Sequence, residues 1–280
     1  MMRVIPLGGL GEIGLNSMII ESGDELLLVD AGVMFPSVDL PGVEIIVPDF
    51  TYLRQNAHRL KGILLTHGHE DHMGALPMLL RELPEVPIYG TPFTLAVVRA
   101  RLEEEGRVAD LRETGPRESL HLGEGFTAEA LRVSHSVPDA VGWWIRSPSG
   151  SVIHTGDFKL DPTPPDGRTT DLERLEQAGH AGVSCLLSDS TNSEVLEDTP
   201  SERLVQEAFE RMLPKARGRV LISMFASNLQ RVRHVLQLCA RLGRKVALMG
   251  RSMGRNVEIG QKLGYLDVPE GLLVPVEEAL

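Results

Sequence analysis

Short apolar runs separated by polar turns occupy the first half of the chain and predict a succession of strands. Residues 16–20 and 25–29 are two such runs, joined by a Ser-Gly-Asp turn. Residues 63–65 predict a buried strand, and apolar positions at helical spacing predict a helix over 71–81. The alternation continues and predicts an α/β layered fold, with strands at 86–90, 127–133, 143–145, 151–153, 220–223 and 245–249 and helices at 92–105, 202–212 and 229–242.

A cluster of metal-binding side chains follows the strand at 63–65: His67, His69, Asp71 and His72. Imidazole nitrogens and carboxylate oxygens are ligands that zinc accepts. His67 and His69 lie two apart on an extended segment and can share one ion, whereas Asp71 and His72 lie further round the turn and suit a second. The spacing therefore suggests two metal ions rather than three unrelated surface histidines.

Other candidate ligands stand at the ends of predicted strands. His135 follows the strand at 127–133, and Asp157 follows the strand at 151–153. His135 would complete the ligands of the first ion, and Asp157 would bridge the pair. Asp30 ends the strand at 25–29, where it either orients a ligand histidine or simply caps the strand. The sequence leaves both roles of Asp30 open.

A glycine pattern near the start, Gly9, Gly11 and Gly14, fits the GxGxxG fingerprint of dinucleotide-binding loops. That fingerprint needs a helix directly after the glycines, whereas the next element is the predicted strand at 16–20. We therefore expect a tight loop beside the metal site and no dinucleotide.

Composition favours a soluble globular protein, because 42% of the 280 residues are hydrophobic, which is enough for a core in one large or two smaller domains. The chain has no uncharged apolar run of about 18 residues and no signal-peptide core, so we expect no membrane insertion and a cytoplasmic location. Cys185 and Cys239 lie far apart in apolar segments and are predicted to be buried free thiols.

Charge is distributed unevenly along the chain, whose formal net charge is −11. Residues 211–257 contain eleven Lys and Arg residues and no Asp or Glu. A cationic segment within an acidic chain is typical of a protein that binds a polyanion. The alternative is a set of solvated helix faces.

The order of the candidate ligands, from Asp30 through the HxHxDH motif to His135 and Asp157, resembles the metallo-β-lactamase superfamily. That resemblance implies an αββα sandwich with a dinuclear zinc site at one edge of the sheets. By motif position, the first zinc would be held by His67, His69 and His135, the second by Asp71 and His72, and Asp157 would bridge them.

Longer segments narrow the resemblance. PLGGLGEIGLN, LTHGHEDHMGALP, HSVPDAVGWWI and HTGDFKLDPTPPDG, with the later SDSTN, FASN and GRSM, resemble the ribonuclease J family, a β-CASP branch of the superfamily. This implies zinc-dependent hydrolysis of RNA phosphodiester bonds, 5′-3′ exonucleolytic and endonucleolytic, on single-stranded RNA with a 5′ monophosphate. Asp189 matches the first acidic β-CASP motif. Ser227 and Asn228 resemble part of a family segment that contacts nucleotide phosphate, in which many relatives have His at position 228.

The resemblance also implies a domain division, with the N-terminal part of a metallo-β-lactamase domain at 1–193 and the opening part of a β-CASP domain at 194–280. The family continues beyond this length, so we expect a truncated chain whose second zinc lacks one protein ligand. The sequence leaves the oligomeric state open, and a homo-oligomer is compatible with the full-length protein. No general acid is found among the residues present, and His154 is expected to lie behind the ligands.

These expectations define the candidate site. Its catalytic carboxylates are Asp71, Asp157, Asp30 and Asp189, and its RNA-binding residues are Ser227, Asn228, Arg231, Arg251 and Arg255. Two other functions fit the metal motif: hydrolysis of a small thioester or lactone, and a catalytically incompetent fragment that binds zinc.

Overall fold

The computed structural model describes residues 1–37 and 40–279 and divides into two compact units. The first unit comprises Met1–Val133, Asp139–Phe158 and Asp171–Ser190. The second comprises Ser134–Pro138, Lys159–Thr170 and Thr191–Leu280.

Two sheets form the frame of the first unit. The six-stranded sheet runs in chain order, antiparallel across its first three strands and parallel across the rest. Its strands are β1 (Met2–Gly8), β2 (Ser17–Ser22), β3 (Glu25–Val29), β4 (Leu60–Leu64), β5 (Ile88–Gly90) and β6 (Leu111–Glu113). Strands β2 and β3 have the predicted apolar runs, and β4 is the strand that leads into the HxHxDH motif.

The second sheet has five strands in the order β11-β10-β9-β8-β7. All of its neighbouring pairs are antiparallel except β10 and β11, which are parallel. Its strands are β7 (Ser119–Leu122), β8 (Phe126–Arg132), β9 (Val141–Ser147), β10 (Gly150–His154) and β11 (Cys185–Leu187).

The core of the first unit lies between the two sheets, where buried residues of both, such as Leu27, Leu64, Val141 and Trp143, pack into one cluster. Two hydrogen bonds also join the sheets beside the HxHxDH motif. The indole Nε1 of Trp143 donates to the Leu65 carbonyl at 3.2 Å, and the Val141 N–H donates to the Thr66 carbonyl at 2.9 Å. The end of β4 is therefore fixed to both layers.

Helices cover the outer faces of the sheets and complete the αββα sandwich. One helix contacts β5 and β6, and another packs its buried Ala178 on the outer side of the second sheet. The helices of the first unit are α1 (Thr51–Gln55), α2 (Glu70–Met73), α3 (Leu76–Leu79), α4 (Pro92–Glu104) and α5 (Leu172–Ala181), with a 3-10 turn at Ala57–Arg59.

The single helix predicted over 71–81 is wrong, because two short helices, α2 and α3, occupy that stretch. Gly74 ends α2, and a new helix starts with Pro77 in its first turn. Proline has no N–H to donate and is tolerated at the start of a helix, so it suits this restart.

The second unit is mainly helical in its described residues, with α6 (Glu202–Met212), α7 (Leu229–Arg241), α8 (Arg251–Lys262), α9 (Val276–Ala279) and a 3-10 turn at Leu213–Lys215. The predicted strand at 220–223 is absent from this described part, and Leu221 there is 90% exposed. The predicted strand at 245–249 is reduced to one bridge between Val246 and Leu273. Val246 donates its N–H to the Leu272 carbonyl at 3.0 Å and accepts the Val274 N–H at 2.9 Å, but among the described residues no named strand runs beside either segment to extend such pairing. Among the described residues, no helix is both long and apolar enough to span a membrane.

Candidate metal centre

The HxHxDH motif forms a turn between β4 and α2. Backbone N–H groups of His72 and Met73 donate to the His69 carbonyl, each at 3.0 Å, and start the helix. Glu70 and Asp71 occupy its first turn, where negative charge is favoured by the helix dipole. Because the motif bends here, His67 and His72 turn toward a common point and their ring centroids lie 4.0 Å apart.

Asp30 fixes one of these rings. Its Oδ2 lies 2.8 Å from His72 Nδ1, and both side chains are only 1% exposed. Its two oxygens also accept the Thr66 N–H and hydroxyl, each at 2.8 Å. A carboxylate against Nδ1 leaves Nε2 to face a metal, which is the usual role of a carboxylate behind a ligand histidine. Of the two roles that the sequence left open, the contacts favour orientation of His72.

Asp157 lies between two groups of potential ligands. Its Oδ2 is 3.9 Å from His67 Nε2, and its Oδ1 is 3.3 Å from His72 Nε2. Ligand atoms of His67, His69 and Asp157 all lie within 4.8 Å of one another, and so do those of Asp71, His72 and Asp157. One carboxylate is thus shared by two groups, as a bridging ligand would be.

The electrostatics of these groups suit a dication. Burial raises the pKa of Asp71, and burial lowers the pKa of His69 to about 4. Burial opposes the charge on His72 as well, but the Asp30 and Asp157 carboxylates outweigh it and raise the pKa of His72. Away from water, neighbouring carboxylates repel each other and compete with the imidazoles for protons. A divalent cation would neutralise the carboxylates and accept the imidazole lone pairs at the same time. Nitrogen and oxygen donors of this kind fit zinc.

The turn that carries Asp157 is held by its own contacts. The Gly156 N–H donates to His154 Nδ1 at 3.1 Å, and Gly156 has a φ of +58°, which glycine adopts without strain. Burial lowers the pKa of His154. The Thr155 hydroxyl accepts the Asp189 N–H at 3.0 Å, which places Asp189 on the chain segment beside this turn.

Sequence reasoning assigned no role to three residues that shape the centre. Thr66 holds Asp30, and Asn16 donates from its side-chain amide to the Asp71 carbonyl at 3.1 Å. A Cβ on Gly32 would lie 1.6 Å from the same carbonyl oxygen, so only glycine fits. The available signals were a polar residue at the end of a glycine loop and a threonine directly before the first histidine of the HxHxDH motif. The loop carrying Gly9, Gly11 and Gly14 leads into β2 and not into a helix, as predicted.

His135 belongs to Ser134–Pro138 and is described with the second unit. Within that unit it lines a cavity of about 220 Å³ together with Ser134, Lys159, Glu202, Asn228 and Gln230. The cavity carries several hydrogen-bonding groups and charges of both signs.

The predicted RNA-binding residues lie on the helical part of the second unit. Asn228 caps α7 by accepting the Arg231 N–H at 3.1 Å, and Ser227 directly precedes it. The Arg231 guanidinium donates two hydrogen bonds to Glu202, at 2.7 and 2.9 Å. Arg251 and Arg255 lie in the first turns of α8, and Arg251 is exposed.

Comparison with known families agrees with this geometry. A family model described as a beta-lactamase superfamily domain matches residues 27–247. The chain belongs to the beta-lactamase superfamily. A second model, described as the beta-CASP domain of ribonuclease J, matches residues 217–280. The metallo-β-lactamase fold of this superfamily member is therefore followed by the start of a β-CASP domain.

Curated superfamily members named ribonuclease J are similar to nearly the whole chain. One from Synechocystis sp. is 44% identical over 280 residues, covering 99% of this chain and 44% of that protein. One from Thermus thermophilus is 44% identical over 278 residues, covering 96% of this chain and 48% of that protein. The chain spans about half the length of these relatives. A crystal structure of an Enterococcus faecalis protein of unknown function shares the fold, with a TM-score of 0.72, 17% identity and coverage of 99% of this chain and 74% of that chain.

Proposed function

We propose that this protein is a zinc-dependent ribonuclease that hydrolyses RNA phosphodiester bonds in RNA processing and decay, as a 5′-3′ exonuclease and an endonuclease. The observation that carries the proposal is the position of Asp157, whose two oxygens face His67 and His72. The 44% identity to proteins named ribonuclease J supports RNA as the substrate.

Each candidate ligand has a proposed place. His67, His69 and His135 would hold one zinc, Asp71 and His72 the other, and Asp157 both. Two bound dications supply Lewis acidity that brings water toward ionisation near neutral pH and offsets charge on a phosphate.

The protein's own groups keep this ligand set in place. Asp30 holds the His72 ring with Nε2 facing Asp157, and Thr66 holds Asp30. The His154 ring accepts the Gly156 N–H and so supports the turn that presents Asp157. Asp189 is proposed to act from the adjoining segment, whose N–H bonds Thr155. This preorganisation is what electrostatic catalysis requires, because the groups need not reorient during reaction.

The RNA is proposed to be single-stranded with a 5′ monophosphate and to follow the acid-free segment at 211–257. Arg251 and Arg255 would contact the backbone from the start of α8, and Ser227 and Asn228 would border the phosphate. Arg231 would have to exchange its contact with Glu202 for a phosphate. A cytoplasmic location and, for a full-length protein, homo-oligomerisation complete the proposal.

The deciding experiment measures zinc content and cleavage of a 5′-monophosphorylated single-stranded RNA by the wild type and by Asp71→Ala. Asp71 belongs to the second ligand group, so the variant is expected to keep about one zinc and to lose at least a hundredfold in cleavage rate. Asp198→Ala, at an exposed aspartate outside both ligand groups, is the matched control and should behave like the wild type.

Other outcomes would replace this function with one of the alternatives. Hydrolysis of a thioester or lactone panel without action on RNA would identify a small-molecule hydrolase. Tightly held zinc without cleavage of any of these substrates would identify a catalytically incompetent zinc-binding protein.

A further inference from the structure

The side-chain amide of Asn16 lies against the second ligand group. Its Nδ2 is 3.1 Å from the Asp71 carbonyl oxygen, 3.0 Å from His72 Nε2 and 3.5 Å from Asp71 Oδ2. These contacts place the amide beside two of the proposed ligands of the second ion.

The contacts identify which amide atom faces the ligands. A backbone carbonyl only accepts, so the atom beside the Asp71 oxygen is the NH₂ nitrogen. The other N–H of the same nitrogen faces the second ligand group, where His72 Nε2 lies 3.0 Å and Asp71 Oδ2 lies 3.5 Å from Asn16 Nδ2. One N–H of Asn16 therefore points to the Asp71 carbonyl, and the other lies beside these two ligand atoms.

The amide is held in this orientation from several sides. The Asn16 backbone N–H also donates to the Asp71 carbonyl, at 3.1 Å, and its carbonyl accepts the Gly32 N–H at 2.9 Å. A Cβ on Gly9 would lie 2.8 Å from Asn16 Oδ1, so the glycine makes room for the side chain. The donor is thus fixed before any substrate arrives.

If His72 Nε2 binds a cation at the second group, that nitrogen cannot accept a hydrogen bond, so the N–H of Asn16 beside it is open to another acceptor. A fixed N–H beside a cation is best satisfied by an anionic oxygen. We propose that Asn16 donates this hydrogen bond to a non-bridging oxygen of the substrate phosphate at the second ligand group. The inference rests on the proposed ribonuclease function and adds a phosphate-binding residue to it.

The test is isothermal titration calorimetry of the zinc-loaded protein with inorganic phosphate. Asn16→Ala removes the donor and is expected to weaken phosphate binding about tenfold, the usual effect of one charge-assisted hydrogen bond. Asn16→Asp keeps the shape, replaces the donor with a negative charge and is expected to weaken binding further. Zinc content should stay at the wild-type value in both, because the backbone bond from Asn16 still supports Asp71.

Asn56→Asp is the matched control, since it also breaks an amide-to-carbonyl bond, from Asn56 Nδ2 to the Tyr52 carbonyl at 2.9 Å. Its phosphate affinity should equal that of the wild type. Three results would overturn the proposal: phosphate affinities of both Asn16 variants within twofold of the wild type, a loss of zinc that accounts for the weaker binding, or no phosphate binding by the wild type. RNA cleavage is measured in parallel on the wild type. If the wild type cleaves RNA, any of these three results rejects only the role of Asn16; if it does not, the proposed ribonuclease function fails as well.

Discussion

Asp30 Oδ2 lies 2.8 Å from His72 Nδ1 in an almost fully buried pair. The same carboxylate accepts both polar hydrogens of Thr66, at the end of β4. The imidazole cannot turn without leaving a buried carboxylate short of a partner, which is energetically costly. Asp30 thereby fixes the direction in which His72 Nε2 points relative to the segment that follows β4.

Asp30→Asn is expected to weaken zinc binding at the second ligand group by about 10- to 100-fold, because the variant loses the charge that orients His72. Asparagine tolerates the left-handed conformation of this residue, whose φ is 59°, so the fold should persist. Competition with a zinc chelator measures the affinity. Asp24→Asn, at an exposed aspartate, is the control, and equal affinities for the two variants would contradict the prediction.

Gly32→Ala should displace the turn that carries Asp71, since the added methyl would overlap the Asp71 carbonyl oxygen. Overpacking of this kind costs roughly 1–3 kcal/mol of unfolding free energy. Urea denaturation with parallel zinc analysis should show lower stability and lower zinc content. Gly179→Ala places its methyl where no atom lies within 4 Å and is the control. An unchanged zinc content in Gly32→Ala would show that the turn tolerates the methyl group.

Glu21 predicts a pH dependence of stability. Burial alone would raise the pKa of Glu21, but hydrogen bonds from Arg3, Arg59 and Tyr52 outweigh it and lower that pKa to about 2. A carboxyl group with a depressed pKa stabilises the fold above its unfolded pKa of about 4.5, and the contribution disappears as the pH falls toward 2. The full contribution is about 3 kcal/mol at pH 7.

Glu21→Gln should therefore be less stable than the wild type at pH 7, and the difference should shrink between pH 4.5 and pH 2. Urea denaturation across this range, with a chelator in every sample to remove any effect of zinc, measures the difference. A constant gap between the two proteins down to pH 2 would mean that the charge on Glu21 contributes nothing.

Chelation of metal should lower the melting temperature of the wild type by several degrees. An ion at a hundredfold excess over its Kd stabilises the folded state by about 2.7 kcal/mol. Asp157→Asn changes the ligand shared by both groups, so its melting temperature should respond much less to zinc or chelator in differential scanning calorimetry. Asp166→Asn, in the second unit, should keep the wild-type response, and its failure to do so would invalidate the comparison.

Arg251→Ala should reduce affinity for single-stranded RNA and lower the slope of log affinity against log salt by about 0.7, the value for one phosphate contact. Fluorescence anisotropy at several salt concentrations measures both quantities. Arg203→Ala removes another exposed arginine, outside the acid-free segment, and serves as control. Identical slopes for the two variants would remove Arg251 from the RNA-binding surface.

Sequence predicts the parts of the centre that depend on local geometry. The spacing of His67, His69, Asp71 and His72 predicts two ligand sets, and the described side chains of the two sets lie in separate groups that could each hold an ion together with Asp157. The contacts of Asn16 and Thr66 arise from distant segments, with Asn16 lying 55 residues from Asp71. No periodic pattern encodes such pairs, because they depend on how β2, β3 and β4 align.

The same distinction applies to the fold. β3 has the predicted bounds, 25–29, because a buried strand with four consecutive apolar residues carries its own signal. β6 and β7 contain only three and four residues and were not predicted, since so short a pattern is indistinguishable from a loop. The helix over 71–81 was wrong because apolar spacing continues across Gly74, where the backbone breaks.

The hydrogen bond from Trp143 to the Leu65 carbonyl has a consequence for thermal inactivation of the metal centre. This bond ties the turn that carries the HxHxDH motif to the interior of the sandwich, so we expect the turn not to unfold separately from the two sheets. Thermal inactivation should keep pace with cooperative melting of the whole first unit, and no early-melting loop should precede it.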